Sequence, residues 1–203
     1  EGAGLGHLRL RLGEGTLTAF LFALSRLGGV PGPAARPTRR ARRNETQLLG
    51  ALGYRMTEDG RDPRDAAWRL AVTASAGHRR RRLTDRLGEV GLVPRATDDG
   101  AFRSVLRVAG SGRALEWLEL TAVALWTHER LDPTDALAPR PNEPSRRDAG
   151  TLAAEARIHG RLGDARVELR PSARLAVYDS RLRDLRAGTP GQPHETTTVA
   201  PTF

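Results

Sequence analysis

One stretch constrains the fold of this chain more than any other. It runs from His78 to Leu115, HRRRRLTDRLGEVGLVPRATDDGAFRSVLRVAGSGRAL. Four consecutive arginines, Arg79 to Arg82, share a segment with Leu83, Leu87 and Val90 at helical spacing, and Gly91 stands where a helix C-cap is expected. Leu92-Val93 then opens a strand, and Thr97 to Gly100 supplies a polar turn. Phe102, Ser104, Leu106 and Val108 return on one side, with Arg103, Val105 and Arg107 on the other. The pattern predicts a basic helix over 78–90, a β-hairpin, and a new helix after Gly112.

The flanking sequence also reads as helical. Leu17, Phe20, Leu21, Leu24 and Leu27 lie at helical spacing and end at Gly28-Gly29. Val30 to Arg43 is a proline- and arginine-rich connector, and Asn44 then caps a helix bearing Leu48, Leu49 and Leu52. After a polar turn at Glu58 to Asp62, Asp62-Pro63 starts a short helix through Ala71. Val72 to Gly77 is a small-residue bend, so this helix and the basic one form a helix-turn-helix. Arg113 to Leu131 carries apolar residues on two stripes, Leu115, Leu118, Ala122 and Leu125 on one and Trp117, Leu120, Val123 and Trp126 on the other. Two stripes predict burial against a second copy. Asp132 to Asp148 reads as a linker, Thr151 to Gly160 as a short helix, Ala165 to Leu169 as a strand, and Ser172 to Gly188 as a helix. The expected fold class is mainly α with a small β-hairpin wing, a winged helix-turn-helix plus dimerisation helices. Its expected divisions are 1–43, 44–112, 113–131, 132–187 and a tail over 188–203.

Charge points to the partner. The 203 residues carry a formal net charge of +9 and a pI of about 11.4, which favours polyanions, nucleic acid first. With 38% apolar and 4% aromatic residues, a core of ordinary size is hard to build, and part of the burial is expected at a partner surface. No run of about 18 apolar residues is present, so no membrane partner is expected. The absence of cysteine excludes disulfides and fits a cytoplasmic location. The histidines show no metal spacing, and no phosphate-binding or Ser/His/Asp signature occurs. Neither enzymatic activity nor a cofactor is expected.

From Trp68 onward the sequence resembles the winged-helix core of the MarR family, the multiple-antibiotic-resistance-type regulators. The resemblance rests on Val72-Thr73, Leu83 to Arg95, Asp98-Asp99, Arg103, Val105-Leu106 and Gly112 to Leu115, with Gln47 to Leu52 as the preceding helix. It implies a homodimeric repressor on a near-palindromic operator in double-stranded DNA, released by a small-molecule effector. The contacts to DNA would be Ser75 in the bend, His78, Arg79, Arg80, Arg81, Arg82 and Thr84 on the helix, then Arg95, and Arg103 near the hairpin tip. Asp85 is expected to orient one of these arginines, and His128 to be a satisfied interface residue. A solvated helix face is the plain alternative for the arginine run. A non-catalytic architectural or assembly protein is the alternative function. A LAGLIDADG-like homing endonuclease fits less well, because Tyr54 stands where an acidic metal ligand is needed.

Overall fold

Antiparallel pairing between sequence neighbours builds the whole described chain. The computed structural model describes residues 1–30, 40–57, 67–90, 94–137, 144–181 and 194–202. The strands are β1 (Gly2–Leu12), β2 (Gly15–Gly29), β3 (Arg42–Thr57), β4 (Trp68–Asp85), β5 (Arg95–Leu115), β6 (Leu118–Asp132), β7 (Ser145–Leu162), β8 (Ala165–Leu169), β9 (Ser172–Arg181) and β10 (His194–Thr202). They form one meander in the order β1-β2-β3-β4-β5-β6-β7-β9-β10, with β8 also on β7. β8 and β9 keep one register along β7: Ile158 faces Leu169, and Glu155 faces Ser172. Only Arg170-Pro171 separates them, since proline brings no N–H to the ladder, yet the Pro171 carbonyl still accepts from Ala156 N–H at 3.0 Å. The sheet is therefore nine strands wide.

No helix occurs among the described residues, which corrects the mainly α fold class together with its winged helix-turn-helix and dimerisation helices. The expected basic helix is the end of β4 and a turn after Asp85. The bend at Val72 to Gly77 lies inside β4. The expected wing turn lies inside β5, with Thr97, Asp98, Asp99 and Gly100 paired to Leu83, Arg82, Arg81 and Arg80. The two-striped helix over 113–131 is a hairpin, the end of β5 and then β6 around Glu116-Trp117. The helices expected at 17–27, 44–52, 151–160 and from Ser172 are β2, β3, β7 and β9. Gly91, Leu92-Val93, Asp62-Pro63 and most of the 30–43 connector lie outside the described residues. The strand expected at Ala165 to Leu169 is β8, and the alternation read over 102–108 runs through β5.

The two rims of the sheet differ. On one rim, two-residue turns join β1 to β2 (Gly13-Glu14), β5 to β6 (Glu116-Trp117) and β7 to β8 (Gly163-Asp164). Gly13 and Gly163 adopt left-handed φ of 57° and 61°, as tight hairpins demand. Residues 58–67 also connect on this rim. Connections on the other rim run over 30–41, 86–94, 133–144 and 182–193, each longer than the two-residue turns. Parts of that rim are stitched together. Glu89 Oε2 accepts the N–H groups of Arg40 and Ala41, each at 2.9 Å, while Asp85 accepts those of Glu89 and Val90, each at 2.8 Å.

Among the described residues no second layer covers either face of the sheet. Ala41 and Ala176 are the only buried apolar residues among those described, and no large side chain is fully buried. Strands β2 to β7 are 15 to 21 residues long, against about 5–6 for an ordinary strand. Long strands without a core are what the functional site must explain.

Candidate functional site

Strand pairing fixes which side chains share a face, because directly opposed residues point the same way. Leu8 faces Ala19, Ala19 faces Leu52, Leu52 faces Ala74, Ala74 faces Leu106, Leu106 faces Trp126, and Trp126 faces Gly150 opposite Val177. Among the described side chains this leucine face carries nearly every exposed large apolar one in the strands, including Leu21 (55% exposed), Leu48 (51%), Leu152 (53%) and Leu120 (47%); of these only Leu5 and Leu131 lie opposite. A β-bulge between Arg113 and Leu115 brings Leu115 onto the leucine face as well.

On β3, β4, β6 and β7 the apolar side chains form a band of one width. On this face β3 reads Leu48, Gly50, Leu52, Tyr54, Met56, and β4 reads Trp68, Leu70, Val72, Ala74, Ala76. β6 reads Leu118, Leu120, Ala122, Ala124, Trp126, and β7 reads Gly150, Leu152, Ala154, Ala156, Ile158. Each segment spans nine residues, eight steps of about 3.4 Å, so about 27 Å along the strand. Aromatic rings mark the margins, with Trp68 and Tyr54 toward the short-turn rim and Trp126 and Phe102 toward the long-loop rim. Beyond Trp126, the His128 ring stacks on the indole with centroids 5.9 Å apart.

Above the band the same face turns ionic. Arg80 and Arg82 both grip Asp98, at 2.6 and 2.8 Å, and Asp148 holds His128 and Arg146, at 2.7 and 2.6 Å. The hydrogen bond from Arg80, with that from Arg82, holds the Asp98 carboxyl at about 2 against the upward push of burial. A glycine on this face leaves room for a neighbouring ring. The Tyr54 ring lies over Gly15, where a Cβ would collide with it.

The opposite face is polar and carries most of the arginines. Glu45 takes Arg79 and, at 2.7 Å, Arg43; Glu119 takes Arg157 at 3.5 Å and Arg69 at 3.7 Å; Glu129 takes Arg103 at 3.2 Å and Arg147 at 3.9 Å. Arg55, Arg107, Arg113 and Arg174 add charge to this face. Its side chains line a cleft of about 710 Å³ across β3 to β7, and Glu45 is 7% exposed. Phe20, Phe22 and Leu24, also on this face, are half-buried, whereas Leu21, Ala23 and Leu27 on the leucine face are exposed.

The expected DNA-contact residues do not form one surface. His78, Arg80, Arg82 and Thr84 lie on the leucine face beyond the band, and Ser75, Arg79, Arg81, Arg95 and Arg103 lie on the arginine face. Asp85, expected to orient an arginine, receives the N–H groups of the following turn. His128 is satisfied by Asp148. Sequence reasoning missed the two-face partition, although the alternation Leu48-x-Gly-x-Leu-x-Tyr-x-Met56 carries it.

No family model, curated protein or solved structure matches the chain. The resemblance to MarR-family regulators is thereby corrected: no family match supports it, and its helices are strands. Among the described residues no helix is long and apolar enough to cross a membrane, a statement that does not bear on strands. Those residues also contain no cluster of metal-ligating side chains. By its fold, the chain is a long-stranded antiparallel meander with one apolar and one arginine-bearing face.

Proposed function

We propose that this chain is the wall of a transmembrane β-barrel, with its leucine face against lipid and its arginine face toward a water-filled interior. The observation that carries this reading is the nine-residue apolar band on β3, β4, β6 and β7, left exposed among the described residues and edged with aromatic rings. Strands need about 9–11 residues to cross a bilayer at a steep tilt. Such proteins show an outward apolar band with aromatic girdles, short turns on one rim and long loops on the other. A water-soluble monomer seldom exposes an apolar surface of this extent.

Backbone groups in lipid must all be paired, so both edges of the sheet need partners. Among the described residues β1 pairs only with β2, and β10 only with β9. With nine strands across, β1 and β10 run the same way. Joining them directly makes a parallel seam; an antiparallel seam takes an odd number of intervening strands.

The reading as a DNA-binding regulator has no comparable observation behind it. Without a groove-sized helix the arginines are divided between two faces, and Arg80 and Arg82 are already engaged by Asp98. The deciding experiment is flotation after dilution from urea into phosphatidylcholine vesicles. The full chain should float with the vesicles, resist carbonate extraction and show strand circular dichroism. A folded, monodisperse chain in buffer without any amphiphile would overturn the proposal.

A further inference from the structure

The cleft on the arginine face has more positive charge than its own carboxylates neutralise. Arg79, Arg103 and Arg147 line it together with Glu129, and Leu49 and Val105 add an apolar floor. Glu129 serves both Arg103 and Arg147, at 3.2 and 3.9 Å, and Glu45 serves both Arg79 and Arg43. Of these groups Arg79, Arg103, Arg147 and Glu129 line the cleft, so one lining carboxylate faces three lining guanidinium groups on this face. Each guanidinium has five N–H donors, more than these contacts use. The side chains of Arg79, Arg103 and Arg147 remain 44%, 66% and 55% exposed. Arg147 is also held over the Tyr178 ring at 5.5 Å, which fixes its direction.

We infer that this cleft binds a dianionic phosphate monoester with a small apolar group. The phosphate would bridge Arg103 and Arg147 in the bidentate manner guanidinium allows, while the apolar group covers Leu49 and Val105. Glu129 competes with such a ligand for both arginines. The inference rests on the arginine face being water-filled.

The test is calorimetric titration of the detergent-folded full chain with phenyl phosphate, inorganic phosphate and benzyl alcohol. Phenyl phosphate should bind saturably and more tightly than inorganic phosphate, and benzyl alcohol should not bind. The double variant Arg103→Gln/Arg147→Gln should weaken phenyl phosphate at least tenfold. Glu129→Gln, which removes only the competitor, should tighten it several-fold, an effect that misfolding cannot imitate. No saturable binding, no loss in the double variant, or weaker binding in Glu129→Gln each overturns the inference. Flotation of the same protein is scored separately: binding without insertion sinks the membrane reading, and insertion without binding sinks only the cleft.

Discussion

Replacing Leu52 by arginine should strongly destabilise the lipid-inserted protein. Leu52 is the midpoint of the β3 band, four residues from Leu48 and four from Met56, and its side chain is half exposed at 51%. It stands about 14 Å along the strand from either margin, and a tilt of about 40° leaves it about 10 Å from each interface. A guanidinium at that depth of a barrel's lipid face costs about 2–4 kcal/mol, whereas an exposed substitution in water stays within about 0.5 kcal/mol. Thr73→Arg, on the arginine face of β4, meets water and should cost less than about 1 kcal/mol, mostly through Arg107 opposite. The assay is guanidinium unfolding in phosphatidylcholine vesicles, followed by tryptophan fluorescence and extrapolated linearly. A Leu52→Arg protein within 0.5 kcal/mol of wild type in vesicles, or one no worse than Thr73→Arg, would refute the assignment of faces.

Two further outcomes follow from the local geometry. Gly15→Ala should cost about 1–3 kcal/mol in the wild type through collision with the Tyr54 ring, and much less in a Tyr54→Ala background; additive costs in that double-mutant cycle would contradict the ring-over-glycine contact. Asp98 lies beyond the apolar band and is held at about 2 against an ordinary 3.8, so the Arg80–Asp98–Arg82 clasp stabilises fully above about pH 4 and is lost as pH falls through 2. The stability gap between wild type and Asp98→Asn should therefore narrow on acidification from pH 5 to pH 2, and a gap independent of pH would exclude this role.

Parts of the structure were legible in the sequence and parts were not, for physical reasons. The alternation from Phe102 to Val108 and the β-branched Val167 in Ala165 to Leu169 announce strands, and those segments are strands. Elsewhere the leucine face alternates large residues with Gly50, Ala74, Ala76, Ala122, Ala124, Ala154 and Ala156, and alanine reads as a helix former. β2 misleads differently: Phe20, Phe22 and Leu24 on the inner face interleave with Leu17, Leu21 and Leu27 on the outer one, and the mixture imitates a helical stripe. The turn at Glu116-Trp117 has neither glycine, proline nor asparagine to mark it, so a hairpin passed for one two-striped helix. The arginine run at 79–82 was legible as charge but not as a partition, because a strand sends neighbours to opposite faces.

The most direct measurement is a nitroxide scan of positions 48 to 56 in vesicles, recording collisions with oxygen and with a water-soluble nickel chelate. A period of two is expected: even positions, on the leucine face, favour oxygen, and odd positions, on the arginine face, favour nickel. A period near 3.6, or equal nickel access at every position, would contradict it.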